Sequence, residues 1–139
     1  MGVGRDCAVV PLMAAMRKQH KRLRKLGQRW VKPIGLGWWT IHSYYCDTRK
    51  GYTKATGQDA TCSAAACMTD WRYRTAELYF NCKLLARLSD AEVEKVFVHE
   101  LMHVFLDELM HCQDDKEDHL ERVATTLADA MIWAKGGLK

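Results

Sequence analysis

The residues best suited to chemistry are His99, Glu100 and His103, in the run His-Glu-Leu-Met-His. On a helix, histidines at i and i+4 share one face, with Cβ atoms about 5–6 Å apart. Two imidazole nitrogens at about 2.0–2.1 Å can then bind one Zn²⁺. Glu100 is rotated by about 100° from His99, so its carboxylate is better placed to take a proton from a metal-activated water than to bind the ion face-on. The spacing predicts His99 and His103 as metal ligands and Glu100 as a catalytic general base.

The helix that would carry these residues is predicted over 89–112. Ser89, with Glu92 three residues later, is a capping box and predicts the helix start. The run that follows is apolar nearly all round, which indicates a buried helix. Burying three ionisable groups without partners would cost several kcal/mol. A bound metal therefore explains them better than a pair of hydrogen-bonded core histidines.

A catalytic zinc needs a third protein ligand and an open fourth position. Candidates lie on a last helix predicted over 116–135, where Glu121 and His119 flank the apolar stripe on opposite sides, each about 100° from it. The helical wheel does not choose between them. Asp107, one turn after His103, is better placed to orient a histidine than to bind the ion.

The motif His99-Glu100-x-x-His103, followed 18 residues later by Glu121, resembles the gluzincin metallopeptidases. The short strand block before it and the segment 121–128 resemble the smallest of these, the minigluzincins and related small phage metallopeptidases. The resemblance covers roughly residues 36–135. It implies a zincin-like fold, zinc-dependent hydrolysis of peptide bonds, and Glu121 rather than His119 as third ligand. Larger gluzincins often carry a carboxylate four residues after the ligand Glu, where this chain has Thr125.

Two alternatives remain beside a gluzincin. SprT-type proteins have an H-E-x-x-H…H pattern and are linked to proteolysis on DNA, but they often add a cysteine-rich zinc ribbon that this sequence lacks. The second alternative is a non-catalytic domain that a closed metal site stabilises. The metzincin pattern is excluded because its Gly and His positions are Leu106 and Leu109 here.

The elements around the motif predict a single α+β domain over 1–139. A basic helix and linker occupy 1–35, with the helix over 12–30, and a three-stranded, mostly antiparallel sheet lies within 36–85. Lys50 to Ala60 is predicted as a hairpin loop. Three strands in succession without an intervening helix favour an antiparallel meander.

Two segments are candidates for contacts with partners. The strand Thr75–Leu84 contains no proline and is predicted as the rim of the cleft, where an extended peptide or protein substrate would pair. The basic helix, Arg17 to Arg29, is typical of a solvated face and gives weaker support to a nucleic-acid surface.

The composition sets the remaining expectations. A chain of 139 residues, 48% hydrophobic and 27% charged, fits one globular domain and excludes a disordered chain. No apolar run approaches the roughly 18–20 residues of a membrane span, and Arg5 and Asp6 make Cys7–Met16 a poor signal peptide. We expect a cytoplasmic monomer without a membrane partner. The six cysteines are expected as reduced thiols.

Overall fold

The computed structural model describes residues 6–111 and 116–137, and within them it shows helices combined with one three-stranded mixed sheet. The α+β class predicted from the sequence is confirmed. None of the helices in these ranges has the length and apolar character to cross a membrane. In chain order the elements are α1 (Asp6–Trp30), β1 (Thr40–Cys46), α2 (Arg49–Thr56), β2 (Ala65–Asp70), β3 (Thr75–Asn81), α3 (Cys82–Leu85), α4 (Asp90–His111) and α5 (Lys116–Gly137).

The sheet has the strand order β1-β3-β2, so the last strand in sequence lies in the centre. β2 and β3 form an antiparallel pair with Ala65 opposite Phe80. β1 runs parallel to β3, with Thr40 opposite Thr75. The predicted antiparallel meander is therefore wrong for one of the two pairings. A parallel pair requires a crossover of a dozen or more residues, and the chain between β1 and β3, which includes α2 and β2, supplies it.

The segment Lys50–Ala60, predicted as a hairpin loop, instead carries most of helix α2. The hydroxyl of Thr48 accepts a hydrogen bond from the backbone N–H of Gly51 at 3.0 Å and caps the first turn. Gly57, with φ 71°, ends the helix in the left-handed conformation. Tyr52 is fully buried and anchors the helix to the rest of the fold. Both caps are visible in the sequence, but the polar, glycine-containing segment between them has low helix propensity.

The main hydrophobic core lies between the sheet and α4. One face of β3 contributes three fully buried side chains, and α4 packs on the same side with the apolar residues that flank its histidines. The central members of this core are Ala76, Leu78, Phe80, Val93, Phe97, Leu101 and Val104. Neither His99 nor His103 belongs to the core, because both side chains are exposed.

The central position of β3 corrects the prediction that Thr75–Leu84 pairs with a substrate. Both hydrogen-bonding edges of β3 are already occupied, by β1 and by β2. The end of the segment is not strand at all, since Cys82–Leu85 forms α3. The edge strand that packs against α4 is β2.

Helix α1 is attached to the start of α4 by its own basic residues. The guanidinium of Arg22 donates to Asp90 Oδ1 at 2.9 Å and to the backbone carbonyl of Leu88 at 2.9 Å. Glu94 accepts a 2.6 Å hydrogen bond from Trp30 and forms a 3.2 Å ion pair with Arg29. Part of the basic character of this helix is therefore structural rather than a solvated face.

Helix α5 lies close to the segment that follows α1. Gly35 has φ 85°, a left-handed conformation that glycine adopts without steric cost. A Cβ atom at this position would lie 2.7 Å from the Cγ2 of Thr126 on α5. Trp30 and Trp133 meet edge to face nearby, with ring centroids 5.1 Å apart. Gly35 thus permits both the turn and the close approach of α5.

Candidate metal centre

Helix α4 carries the motif and begins as the capping box predicts. The backbone N–H of Ser89 donates to Glu92 Oε2 at 2.8 Å, and the backbone N–H of Glu92 donates to Ser89 Oγ at 3.3 Å. These reciprocal bonds satisfy two donors that the first turn of a helix leaves without intrahelical partners. The helix then runs unbroken to His111, so His99 and His103 lie one turn apart on the same face.

The two imidazoles are positioned to share one ion. Their Nε2 atoms lie 3.2 Å apart. Two nitrogens bound to a tetrahedral zinc at about 2.0–2.1 Å are separated by about 3.3 Å, so the observed spacing fits that ion. The same spacing also permits an N–H···N hydrogen bond when one ring is the donor. Both side chains are exposed, which excludes the pair of core histidines considered from the sequence.

Glu100 is the buried member of the group, with 6% of its surface exposed. One carboxylate oxygen and one nitrogen from each histidine lie within 4.8 Å of one another. Burial raises the pKa of Glu100 above its ordinary value, while the charges of His103 and His99 act in the opposite direction. The carboxylate is therefore held beside the imidazole pair in an environment that increases its affinity for a proton. Only one of the three ionisable groups is buried, whereas the sequence predicted three.

Two residues that the sequence did not indicate interact electrostatically with Glu100. Burial raises the pKa of Cys67, on β2, to about 12, with further contributions from the negative charges of Glu100 and Asp107. Burial also raises the pKa of Tyr52, and Glu100 again contributes. Burial thus favours the protonated form of the Cys67 thiol. Like Cys46, Cys62 and Cys82, Cys67 is not in a disulfide.

Asp107 lies one turn after His103 and is buried, with 7% of its surface exposed. Its charge is close enough to Cys67 to raise the pKa of that thiol. A buried carboxylate one turn from a ligand is suited to hold an imidazole in a fixed orientation. The role of Asp107 as an orienting residue for His103 stays a prediction.

The predicted third ligand, Glu121, is not part of this group. Glu121 is exposed on the second turn of α5, and its carboxylate is not among the ligand atoms that cluster within the described residues. The side chain of His119 lies outside the part of the chain that the structure describes. Glu121 as third ligand, with His119 as the alternative, therefore stays a prediction.

Single alanine substitutions at these two positions should separate the alternatives. We expect Glu121→Ala to weaken zinc binding by at least about tenfold, because the loss of residues that only support a ligand already costs about 10–100-fold. His119→Ala should keep one zinc per chain, as should Asp129→Ala, a control that removes another exposed carboxylate from α5. Zinc stoichiometry by elemental analysis is the measurement. Zinc loss in His119→Ala alone would reassign the ligand, and full zinc in all three variants would place it elsewhere.

The description of this site rests on the chain's own residues. No protein-family model, no curated protein and no solved structure matches this chain.

Proposed function

We propose that the protein is a zinc-dependent metallopeptidase with a zincin-like fold, similar to the minigluzincins. The observation that supports this most directly is the 3.2 Å separation of the His99 and His103 Nε2 atoms, with the buried carboxylate of Glu100 beside them. Exposed imidazoles at the separation of two zinc ligands, next to a base, form part of the arrangement that metal-assisted hydrolysis requires.

His99 and His103 would hold the ion, with Glu121 as the proposed third ligand. Zinc supplies Lewis acidity, which lowers the pKa of water to about 7 and polarises a carbonyl oxygen. Glu100 accepts the proton of the attacking water and later delivers it to the leaving amine. Burial raises the pKa of Glu100, so this carboxylate takes up a proton more readily. It can then hold the proton until the amine leaves.

The substrate would approach the exposed side of the histidines. In the described part of the chain β2 pairs with β3 along one edge only, and it packs against α4. An extended peptide adding to the other edge of β2 would be held by backbone hydrogen bonds beside the site. This moves the proposed substrate strand from Thr75–Leu84 to Ala65–Asp70.

Metal analysis combined with a digest of a peptide library tests the proposal. We expect about one zinc per chain in freshly purified protein, and cleavage that a chelator abolishes and added zinc restores. The chain should stay folded after chelation, because the histidines are exposed and the core is built without them. The melting temperature should fall only by the amount that the binding of zinc to the folded state contributes.

The rival function, a metal that only stabilises the fold, predicts a different set of results. Zinc-loaded protein would leave every peptide intact, and chelation would unfold the chain. Protein that neither contains nor takes up zinc would contradict both functions.

A further inference from the structure

A cavity of about 510 Å³ lies between α1 and the edge strand β1. Phe97 forms part of it. This residue precedes His99 by two positions on α4, so the two side chains leave the helix about 160° apart. The cavity is therefore separate from the candidate metal centre. Three cations from α1, Arg17, Lys21 and Arg24, line it, and no acidic side chain is among the lining residues that the structure describes.

These cations differ from the structural arginines of the same helix. Arg22 and Arg29 are engaged with Asp90 and Glu94 at the start of α4. Among the residues that the structure describes, Arg17, Lys21 and Arg24 are exposed and form no ion pair. Three unneutralised cations around one cavity favour an anionic ligand.

The spacing of the cations favours a ligand with several anionic groups. Positions 17, 21 and 24 follow one face of α1 and span about 10 Å along its axis, at about 1.5 Å per residue. A single phosphate would engage one end of this row. Successive phosphates of one nucleic-acid strand would engage all of it.

Aromatic rings line the same cavity, from α1 and from β1. The ring of His20 stacks on Tyr45 of β1 at 3.7 Å, and Tyr45 stacks in turn on the buried Phe80 at 5.9 Å. His20 is the exposed end of this stack and lines the cavity. A planar base can stack on such a ring when it is not already stacked within a duplex. Acidic peptides carry the charge but not the planar group.

We propose that this cavity binds single-stranded nucleic acid, with phosphates on Arg17, Lys21 and Arg24 and a base stacked on His20. The ligand class follows from the cations, the lack of carboxylates among the described lining residues, and the exposed ring. The site requires no metal and goes beyond peptide hydrolysis. It places a nucleic-acid strand on the opposite side of α4 from the candidate catalytic residues.

Salt-dependent binding of a labelled oligothymidylate of about 15 nucleotides tests the proposal by fluorescence anisotropy. In the variant Arg17→Gln, Lys21→Gln, Arg24→Gln, the slope of log affinity against log salt should fall in magnitude by about 2, since each phosphate contact contributes about 0.7. The control variant Lys50→Gln, Lys54→Gln, Lys95→Gln removes the same charge from other exposed positions and should keep the parental slope. Circular dichroism checks that both variants are folded.

A separate experiment tests the stacking of a base on His20. His20→Ala should weaken binding of the oligothymidylate by about fivefold or more, and should leave an abasic strand of equal length unaffected. His103→Ala should bind both strands like the parent, which separates this site from the proposed peptidase centre. Absence of parental binding, equal losses in the two triple variants, or a polyglutamate peptide that competes as well as the oligothymidylate at equal charge would overturn the proposal.

Discussion

Replacing Glu100 with glutamine should abolish peptide hydrolysis and leave zinc bound. Glutamine has nearly the same shape as glutamate but cannot accept the proton of the attacking water. The loss of a positioned general base typically costs about 10²–10⁴-fold, so kcat should fall by at least that factor. Initial rates on a cleaved peptide, measured beside zinc content, give the result. The retained zinc is what separates a catalytic defect from loss of the site.

The matched control is Asp129→Asn, which makes the same change from carboxylate to amide on an exposed position of α5. It should hydrolyse peptides at the parental rate. If Glu100→Gln does so as well, the proposed mechanism is wrong. If it loses both zinc and activity, Glu100 is a ligand, which its position within 4.8 Å of the imidazole nitrogens would then explain.

Replacing His103 with alanine should remove zinc and hydrolysis together. Only His99 would remain from the pair. One imidazole and the proposed Glu121 carboxylate provide two of the three protein ligands that a catalytic zinc needs. The side chain is exposed and outside the core, so the free energy of unfolding of the metal-free protein should change by no more than about 0.5 kcal/mol. Elemental analysis, the peptide assay and a thermal melt with chelator report the three quantities.

His42→Ala serves as the control, since His42 is an exposed histidine on β1. It should retain zinc and activity. A His103→Ala protein with a full complement of zinc would show that the imidazole pair does not bind the ion, and the 3.2 Å contact would then be a hydrogen bond between histidines.

The helix that carries the candidate site was predictable because its signals are local. Ser89 and Glu92 lie three residues apart and form the capping box with each other, whatever the rest of the chain does. His99 and His103 are one turn apart, and they need only helical backbone to share a face. Sequence spacing therefore determines both the start of α4 and the His99–His103 pair.

The strand pairing was not predictable in the same way. β1 and β3 are 35 positions apart in register, from Thr40 to Thr75, and local alternation carries no information about which distant strand becomes a neighbour. Helix α2, which the sequence did not predict, lies in the connection between β1 and β3. A helix between two strands is the usual sign that they are parallel, so without it the parallel pairing could not be inferred. Its caps, Thr48 and Gly57, were the available signal.

The surroundings of Glu100 depended on tertiary packing as well. Cys67 interacts electrostatically with this carboxylate because β2 packs against α4. The choice between Glu121 and His119 as third ligand depends on how α5 is rotated against α4. A helical wheel gives angles within one helix but not the rotation between two. That is why Glu121 and His119 could not be distinguished by periodicity.

The contact between Gly35 and Thr126 has a consequence for how this chain can evolve. A side chain at position 35 would need a left-handed backbone and would collide with the methyl group of Thr126, 2.7 Å from the first added carbon. The two positions must therefore change together, through a smaller residue at 126 and a shifted turn. Because α5 also carries Glu121, the proposed third ligand, the turn at Gly35 is linked to the proposed metal site through Thr126.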